Sequence, residues 1–476
     1  LSKDSPQPAA SNADAHDARL APTNDRREIF GWVMYDWANS AFSTTVAGVL
    51  LGEYLTSLAQ ASVGENGTVI SFGPLGAVTA KSLFPFCVSV SVFCQFFLLP
   101  ILGAIADYSN LKKRMMAVFC YAAVAATCLL FFVSGDLYLL GALLFVFANL
   151  CFGAAIVFYN AFLPEITTED QRDKVSSRGY ALGYLGGGLL LVLNLALVLG
   201  ASRLGMSSGL AVRISLLSAG LWWGGFALFT FARLRTREAA RTLTPGKSYL
   251  TIGFSELGST FRELLRLRRT LQYLVGYLFY NDGIQTVISV AGVFIGQELF
   301  AARGIETPKS FLIGIFLLVQ FVAFLGALLF ERIAAFAGTK RAILLSLVVW
   351  SGIVIYAYGF FSTTRQAWFM ASMIAIVLGG SQALSRSLFS RMIPKGREAS
   401  FFGIYEISER GTSWLGPLVF SIVVASTNSY RQAILSLIGF FIVGMIILFF
   451  TDTDRAIHES GNALPEEAAE TMNAER

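Results

Sequence analysis

Tyr35-Asp36-Trp37-Ala38-Asn39-Ser40-Ala41-Phe42-Ser43-Thr44 sets a carboxylate, an amide and several hydroxyls inside an apolar run from about Phe30 to Leu55. That run is long enough to cross a bilayer as a helix. Asp36, Asn39, Ser40 and Ser43 fall at i, i+3, i+4 and i+7, so they share one helical face. A carboxylate facing lipid costs several kcal/mol, so the stripe is expected to face other helices or water. Asp282, Gln285, Thr286 and Ser289 repeat the spacing in a second long apolar run, each 246 residues further on. Parallel internal repeats mark one large class of transporters.

Composition agrees with a membrane protein. The 476 residues are 55% hydrophobic and 14% charged, against about a quarter charged in soluble domains. The net charge of +5 says little about nucleic acid, because the basic residues lie between apolar runs. Cys87, Cys94, Cys120, Cys128 and Cys151 lie within apolar runs without a CxxC pair, so they read as small hydrophobes. His16 and His458 lie in polar tails. No Ser-His-Asp set, metal cluster or nucleotide loop is available in the membrane, which argues against an enzyme and against a cofactor. Gly183, Gly186, Gly187 and Gly188 sit inside a membrane helix with no Lys-Ser/Thr after them. They read as close helix packing.

Twelve spans are expected near 30–56, 82–106, 114–134, 138–163, 177–200, 212–232, 271–297, 309–331, 341–361, 367–391, 400–425 and 431–450. Residues 1–28 and 452–476 read as disordered tails. Basic residues mark cytoplasmic loops. With tails included they divide 28 against 7 between the two sets of loops, Arg410 falling inside a helix. Both termini are therefore expected in the cytoplasm, which requires an even number of spans. The long link 233–270 separates a bundle at 29–232 from one at 271–451. Within the link, Ile252 to Arg269 alternates apolar and charged residues and reads as an amphipathic helix on the membrane surface, or as a solvated linker helix.

Twelve spans, a central basic link and two matching halves resemble the major facilitator superfamily, all-α with two parallel six-helix repeats. Gly103…Asp107…Lys112-Lys113-Arg114 is similar to that superfamily's loop-2/3 motif, with Asn110 in place of a second Gly. Tyr35 to Phe42, Phe158-Tyr159-Asn160-Ala161-Phe162-Leu163-Pro164, Tyr184-Leu185-Gly186-Gly187-Gly188 and Tyr280-Asn281-Asp282-Gly283-Ile284-Gln285-Thr286 resemble the vacuole-effluxer-like, autophagy-related family. So do Gly379 to Ser387 and Phe401-Phe402-Gly403-Ile404-Tyr405-Glu406. The resemblance implies a secondary transporter and a monomer. Fungal vacuolar members are associated with amino-acid export.

By the same resemblance, spans one, four, seven and ten line a central cavity. Their polar residues agree: Asp36, Asn39, Ser40 and Ser43; Tyr159 and Asn160; Asn281, Asp282, Gln285 and Thr286; Gln382, Ser385 and Arg386. Asp36 and Asp282 each read as a proton carrier or a partner for a substrate ammonium. The competing reading is a permanent salt bridge to Arg386 or Arg410. Glu406 and Arg410 at i, i+4 read as an intrahelical pair or as a switch that frees Arg410 for a substrate carboxylate. Arg386 is expected to snorkel near the cytoplasmic face as a gate residue. Asp107 with Lys112, Lys113 and Arg114 is expected to form the inner gate latch.

The expectation is a proton-linked exporter of amino acids or similar small zwitterions. The alternatives are export of amphipathic, lipid-like or drug-like compounds, and a receptor or scaffold that moves nothing. Short loops without a sorting extension favour a bacterial inner membrane over a vacuole.

Overall fold

The computed structural model describes residues 24–65, 67–71, 77–236, 249–410 and 415–474, with side chains omitted at 249–255, 309, 410 and 471–474. Six helices form the first half: α1 (Arg26–Val63), α2 (Leu83–Asp107), α3 (Lys112–Leu129), α4 (Tyr138–Ile166), α5 (Arg172–Leu199) and α6 (Ser208–Arg233). A hairpin of β1 (Thr68–Ser71) and β2 (Ala77–Thr79) joins α1 to α2. The linker helix α7 (Tyr249–Arg266) precedes α8 (Arg268–Leu299), α9 (Lys309–Ala337), α10 (Thr339–Gly359) and α11 (Thr364–Arg391). The eleventh expected span falls on α12 (Glu398–Arg410) and α13 (Leu415–Thr427), with 411–414 outside the described residues, and α14 (Tyr430–Phe450) is the last span. Among the described residues, eleven helices are long and apolar enough to cross a membrane by themselves, and α13 is a shorter apolar helix.

The face that carries both described chain ends is called proximal here, and the hairpin marks the distal face. α4 and α11 are the most enclosed spans, with 61% and 67% of their most apolar stretch buried. α3 and α14 bury 33% each, and the spans of α1 and α9 28% each.

Glycines set the closest helix approaches. A Cβ at Gly183, Gly186 or Gly187 of α5 would come within 2.9 Å of Ser40, Trp37 or Thr44 of α1. The membrane-packing reading of that cluster therefore holds. Gly103 of α2 and Gly403 of α12 do the same across the two halves: added Cβ atoms would meet the backbone of Ala399 and Leu99 at 2.2 and 2.9 Å.

The tail expected to be disordered over 452–476 is corrected. It forms α15 (Thr453–Glu459) and α16 (Pro465–Ala474). Ala456 and Ile457 are buried, and Asn462 donates its amide to the carbonyls of Arg391 and Ile393, both at 2.8 Å. These are carbonyls at the end of α11 that its own ladder leaves unpaired. Likewise α1 begins at Arg26, inside the stretch expected to be tail, with Asp25 as its N-cap accepting from the Arg27 backbone at 2.8 Å.

Candidate functional site

The first stripe continues directly into a π-helical segment, Phe42–Leu50. Such wide turns are rare and often lie at functional positions. Along the stripe, Ser40 Oγ donates to the Asp36 carbonyl at 2.7 Å, and Ser43 Oγ to the Ser40 carbonyl at 3.2 Å. The second stripe repeats this: Thr286 Oγ1 donates to the Asp282 carbonyl at 2.7 Å, and Ser289 Oγ to the Thr286 carbonyl at 2.9 Å. Exposure rises in step along both. Asp36 and Asp282 are buried, Ser40 and Gln285 half-buried, Ser43 and Ser289 exposed. The polar faces therefore open toward the distal side.

At the closed end of the first stripe lies Arg386 of α11. Its Nη1 and Nη2 each lie 3.3 Å from Asp36 Oδ2, which also accepts from Tyr159 Oη at 2.7 Å. Nε donates to Ser176 Oγ at 2.9 Å, Nη2 to the Ser176 carbonyl at 3.0 Å, and Nη1 to Asn160 Oδ1 at 3.3 Å. The guanidinium carbon lies 4.3 Å from the Tyr180 ring centroid and 4.8 Å from that of Trp32, a cation–π enclosure. Gly179 makes the room: a Cβ there would stand 2.4 Å from Asp36 Oδ2.

The expected snorkelling of Arg386 is thereby corrected. It is 2% exposed, because carboxylate, carbonyl and ring partners from the other half satisfy it inside the protein. Of the two readings of Asp36, the structure displays the salt bridge, and it joins the two halves.

More polar contacts cross between the halves beside it. Asn160 Nδ2 donates to Glu406 Oε1 at 2.8 Å, Tyr184 Oη to Gln382 Oε1 at 2.6 Å, and Ser176 Oγ to the Ala383 carbonyl at 2.7 Å. The side chain of Arg410 lies outside the described residues, so neither expectation for Glu406 with Arg410 is addressed. Asn39 is buried, and among the described residues its Nδ2 has no partner.

Asp282 is treated differently. It is fully buried; Oδ2 accepts from the Gly416 backbone at 3.0 Å, and Oδ1 has no partner among the described residues. Beside it, Asn281 Nδ2 donates to the Glu409 carbonyl at 2.9 Å.

On the proximal face the Lys112 charge lies within electrostatic reach of Asp107, but the hydrogen bonds of Asp107 go to the other half. Its carboxylate accepts from the Ala399 and Ser400 backbone at 3.0 and 2.8 Å, and from Ser400 Oγ at 2.5 Å. It thus caps the amino end of α12, where free N–H groups and the helix dipole favour an anion. Lys112 pairs with Glu165 at the end of α4. Lys113 reaches the Leu234 carbonyl at 2.6 Å, and Arg114 is exposed. A second layer lies nearby: Arg391 pairs with Asp173 at 3.0 Å and with the Glu169 carbonyl at 3.1 Å, while Arg172 reaches the Ser390 carbonyl at 3.0 Å.

Sequence reasoning missed Trp32, Ser176 and Glu409 and gave no role to Gly179 or Tyr180. Glu409 stands within electrostatic reach of Tyr180, Tyr184, Tyr277 and Tyr405. Ser176, Gly179 and Tyr180 sit at i, i+3 and i+4 on α5, a face that could have been read.

Two half-bundles meeting at a polar centre, closed on one face and opening on the other, are the architecture of a major facilitator transporter. Solved structures agree on the fold. The fucose transporter FucP in the outward conformation aligns with TM-score 0.64 at 10% identity, covering 90% of this chain and 99% of that one. A bacterial homologue of the iron transporter ferroportin in its outward-facing state gives 0.58 at 13% identity, over 92% and 99%. Residues 24–461 match the profile described as vacuole effluxer Atg22 like, and the chain belongs to that family. An uncharacterised MFS-type transporter, YxiO of Bacillus subtilis (strain 168), is 32% identical over 91% of this chain and 97% of its own length. Autophagy-related protein 22 of Yarrowia lipolytica (strain CLIB 122 / E 150) is 27% identical over 82% and 79%. The protein is a multi-pass membrane transporter and not an enzyme.

Proposed function

We propose that this transporter exports amino acids or similar small zwitterions across a bacterial inner membrane, coupled to protons, by alternating access. The observation that carries the reading is the opposite treatment of two equivalent aspartates. Asp36 is clamped by Arg386 and Tyr159 across the halves. Asp282 is buried with Oδ1 unpartnered, and no Lys or Arg pairs with it among the described side chains. A buried carboxylate without a counter-cation is costly, whereas the neutral acid is tolerated. Asp282 therefore serves as the proton carrier and Asp36 as the gate.

Loop charge puts the proximal face in the cytoplasm. The structure is then closed inward and open outward. On the open side, Gln285, Gln382, Tyr184, Ser43 and Ser289 offer amides and hydroxyls beside carboxylates, which suits an ammonium and a carboxylate on one small molecule. The family description, an effluxer, supports export as the direction. By family resemblance it works as a monomer.

Binding is the first test. A ligand selective for the folded state raises the melting temperature by mass action. Purified protein is heated with amino acids, peptides, lysolipids and drugs. A shift with amino acids supports the zwitterion reading. A shift confined to amphipathic compounds replaces it with export of greasy molecules. Transport in proteoliposomes across a pH series then tests coupling: Asp282→Asn should lose the pH response, and equal behaviour to wild type removes Asp282 from the scheme.

A further inference from the structure

The linker helix α7 sorts its side chains by face. Thr260 and Leu264 are buried, and Glu256 and Glu263 turn inward to Arg397. Arg397 lies in the turn before α12; its Nη2 also reaches Ser259 Oγ at 2.6 Å and Thr260 Oγ1 at 3.2 Å. The opposite face exposes Phe261 and Leu265, at 55% and 48%, together with exposed Arg262 and Arg266. Acids point in; bases and large apolar side chains point out. Among the described residues, the hydrogen bond from that face, Arg262 Nε to the Gly258 carbonyl at 3.2 Å, stays within α7 itself.

Its level in the membrane follows from the next helix. α8 starts at Arg268, immediately after α7, and continues with Arg269. Its first exposed apolar side chain is Val275, about 10 Å further along at the helical rise. Arg268 and Arg269 therefore sit at headgroup depth, and α7 lies beside them on the proximal face. Apolar residues flanked by arginines at that depth suit an anionic bilayer surface, which accepts the rings and chains and attracts the guanidinium groups.

We infer that the outward face of α7 is a docking surface for anionic phospholipid headgroups of the proximal leaflet, holding α7 in the position that braces Arg397 and the amino end of α12. Because Asp107 caps that same end, the lipid surface and the gate bear on one helix terminus. The inference does not depend on which substrate is carried. Two arginines near an anionic surface change a docked-to-undocked ratio by roughly thirty-fold.

The test uses the full chain in nanodiscs, made either of zwitterionic lipid alone or with anionic phosphatidylglycerol. A spin label at position 261, in a background without reactive cysteines, is read for collision with oxygen, which enriches in the membrane, and with a water-soluble nickel chelate. Anionic discs should raise the oxygen-to-nickel ratio over zwitterionic ones. Arg262→Glu with Arg266→Glu should abolish that difference, and Arg262→Lys with Arg266→Lys should keep it. A label at position 118, on the exposed lipid-side face of α3, should read the same in all three proteins and show that the bundle is folded. A label at 261 that is equally water-exposed in both lipids overturns the inference, as does a lipid response that survives the double Glu variant.

Discussion

The Asp107 carboxylate and the Ser400 hydroxyl meet at 2.5 Å across 293 residues of chain. One belongs to α2 and the other to α12, so a single N-cap joins the halves on the proximal face. Caps of this kind contribute about 0.5–2 kcal/mol, and the helix dipole adds a smaller electrostatic part. Replacing Asp107 with Ala is expected to shift the protein about ten-fold toward proximal-open states. Distances between spin labels on α2 and α12 would report it; unchanged distances would show that the cap does not hold the gate.

The Asp36–Arg386 pair should behave as a unit. Arg386→Gln leaves a buried carboxylate without its cation, at a cost of about 3–5 kcal/mol. Asp36→Asn combined with Arg386→Gln should cost less than the sum of the single changes. Thermal unfolding of the four proteins closes a double-mutant cycle. Additive losses would mean that the pair is not coupled.

Gly179→Ala should be disruptive out of proportion to one methyl group, since its Cβ would lie 2.4 Å from Asp36 Oδ2. Overpacking of this kind costs about 1–3 kcal/mol. Gly225→Ala in α6, where nothing lies within 4 Å, is the control and should be neutral. Melting temperatures distinguish the two.

Asn462→Ala should destabilise the protein by about 1–2 kcal/mol, because two buried carbonyls at the end of α11 lose a donor. Removing residues 453–476 should cost at least as much. A melting curve unchanged by truncation would mean that the tail contributes nothing to the end of α11.

The polar stripes were legible because charges and amides at helical spacing stand out in apolar sequence. Asp36, Tyr159 and Asn160 were picked for that reason, and the structure gathers them around Arg386. The depth of Arg386 was misread, because snorkelling is the expectation for an arginine judged by its own helix alone. Its partners, Trp32, Ser176 and Tyr180, come from helices two hundred and more residues earlier. The Asp107 cap left no trace for the same reason: a cap within one helix has a fixed local spacing, and a cap lent across the halves has none. The tail was taken as disordered on composition; a few buried residues, Ala456, Ile457 and Asn462, suffice to seat it.

The glycines of α5 have a consequence for movement. Gly183, Gly186 and Gly187 lie against α1 of the same half, while Gly188 faces Gln320 of α9 in the other, 3.1 Å from the position of its missing Cβ. One helix is thus a rail with smooth sides. Where α5 meets α9, Gly188 has no side chain to change rotamer, so resistance to relative movement of the halves falls on the polar contacts that join them, Asp36 to Arg386 among them.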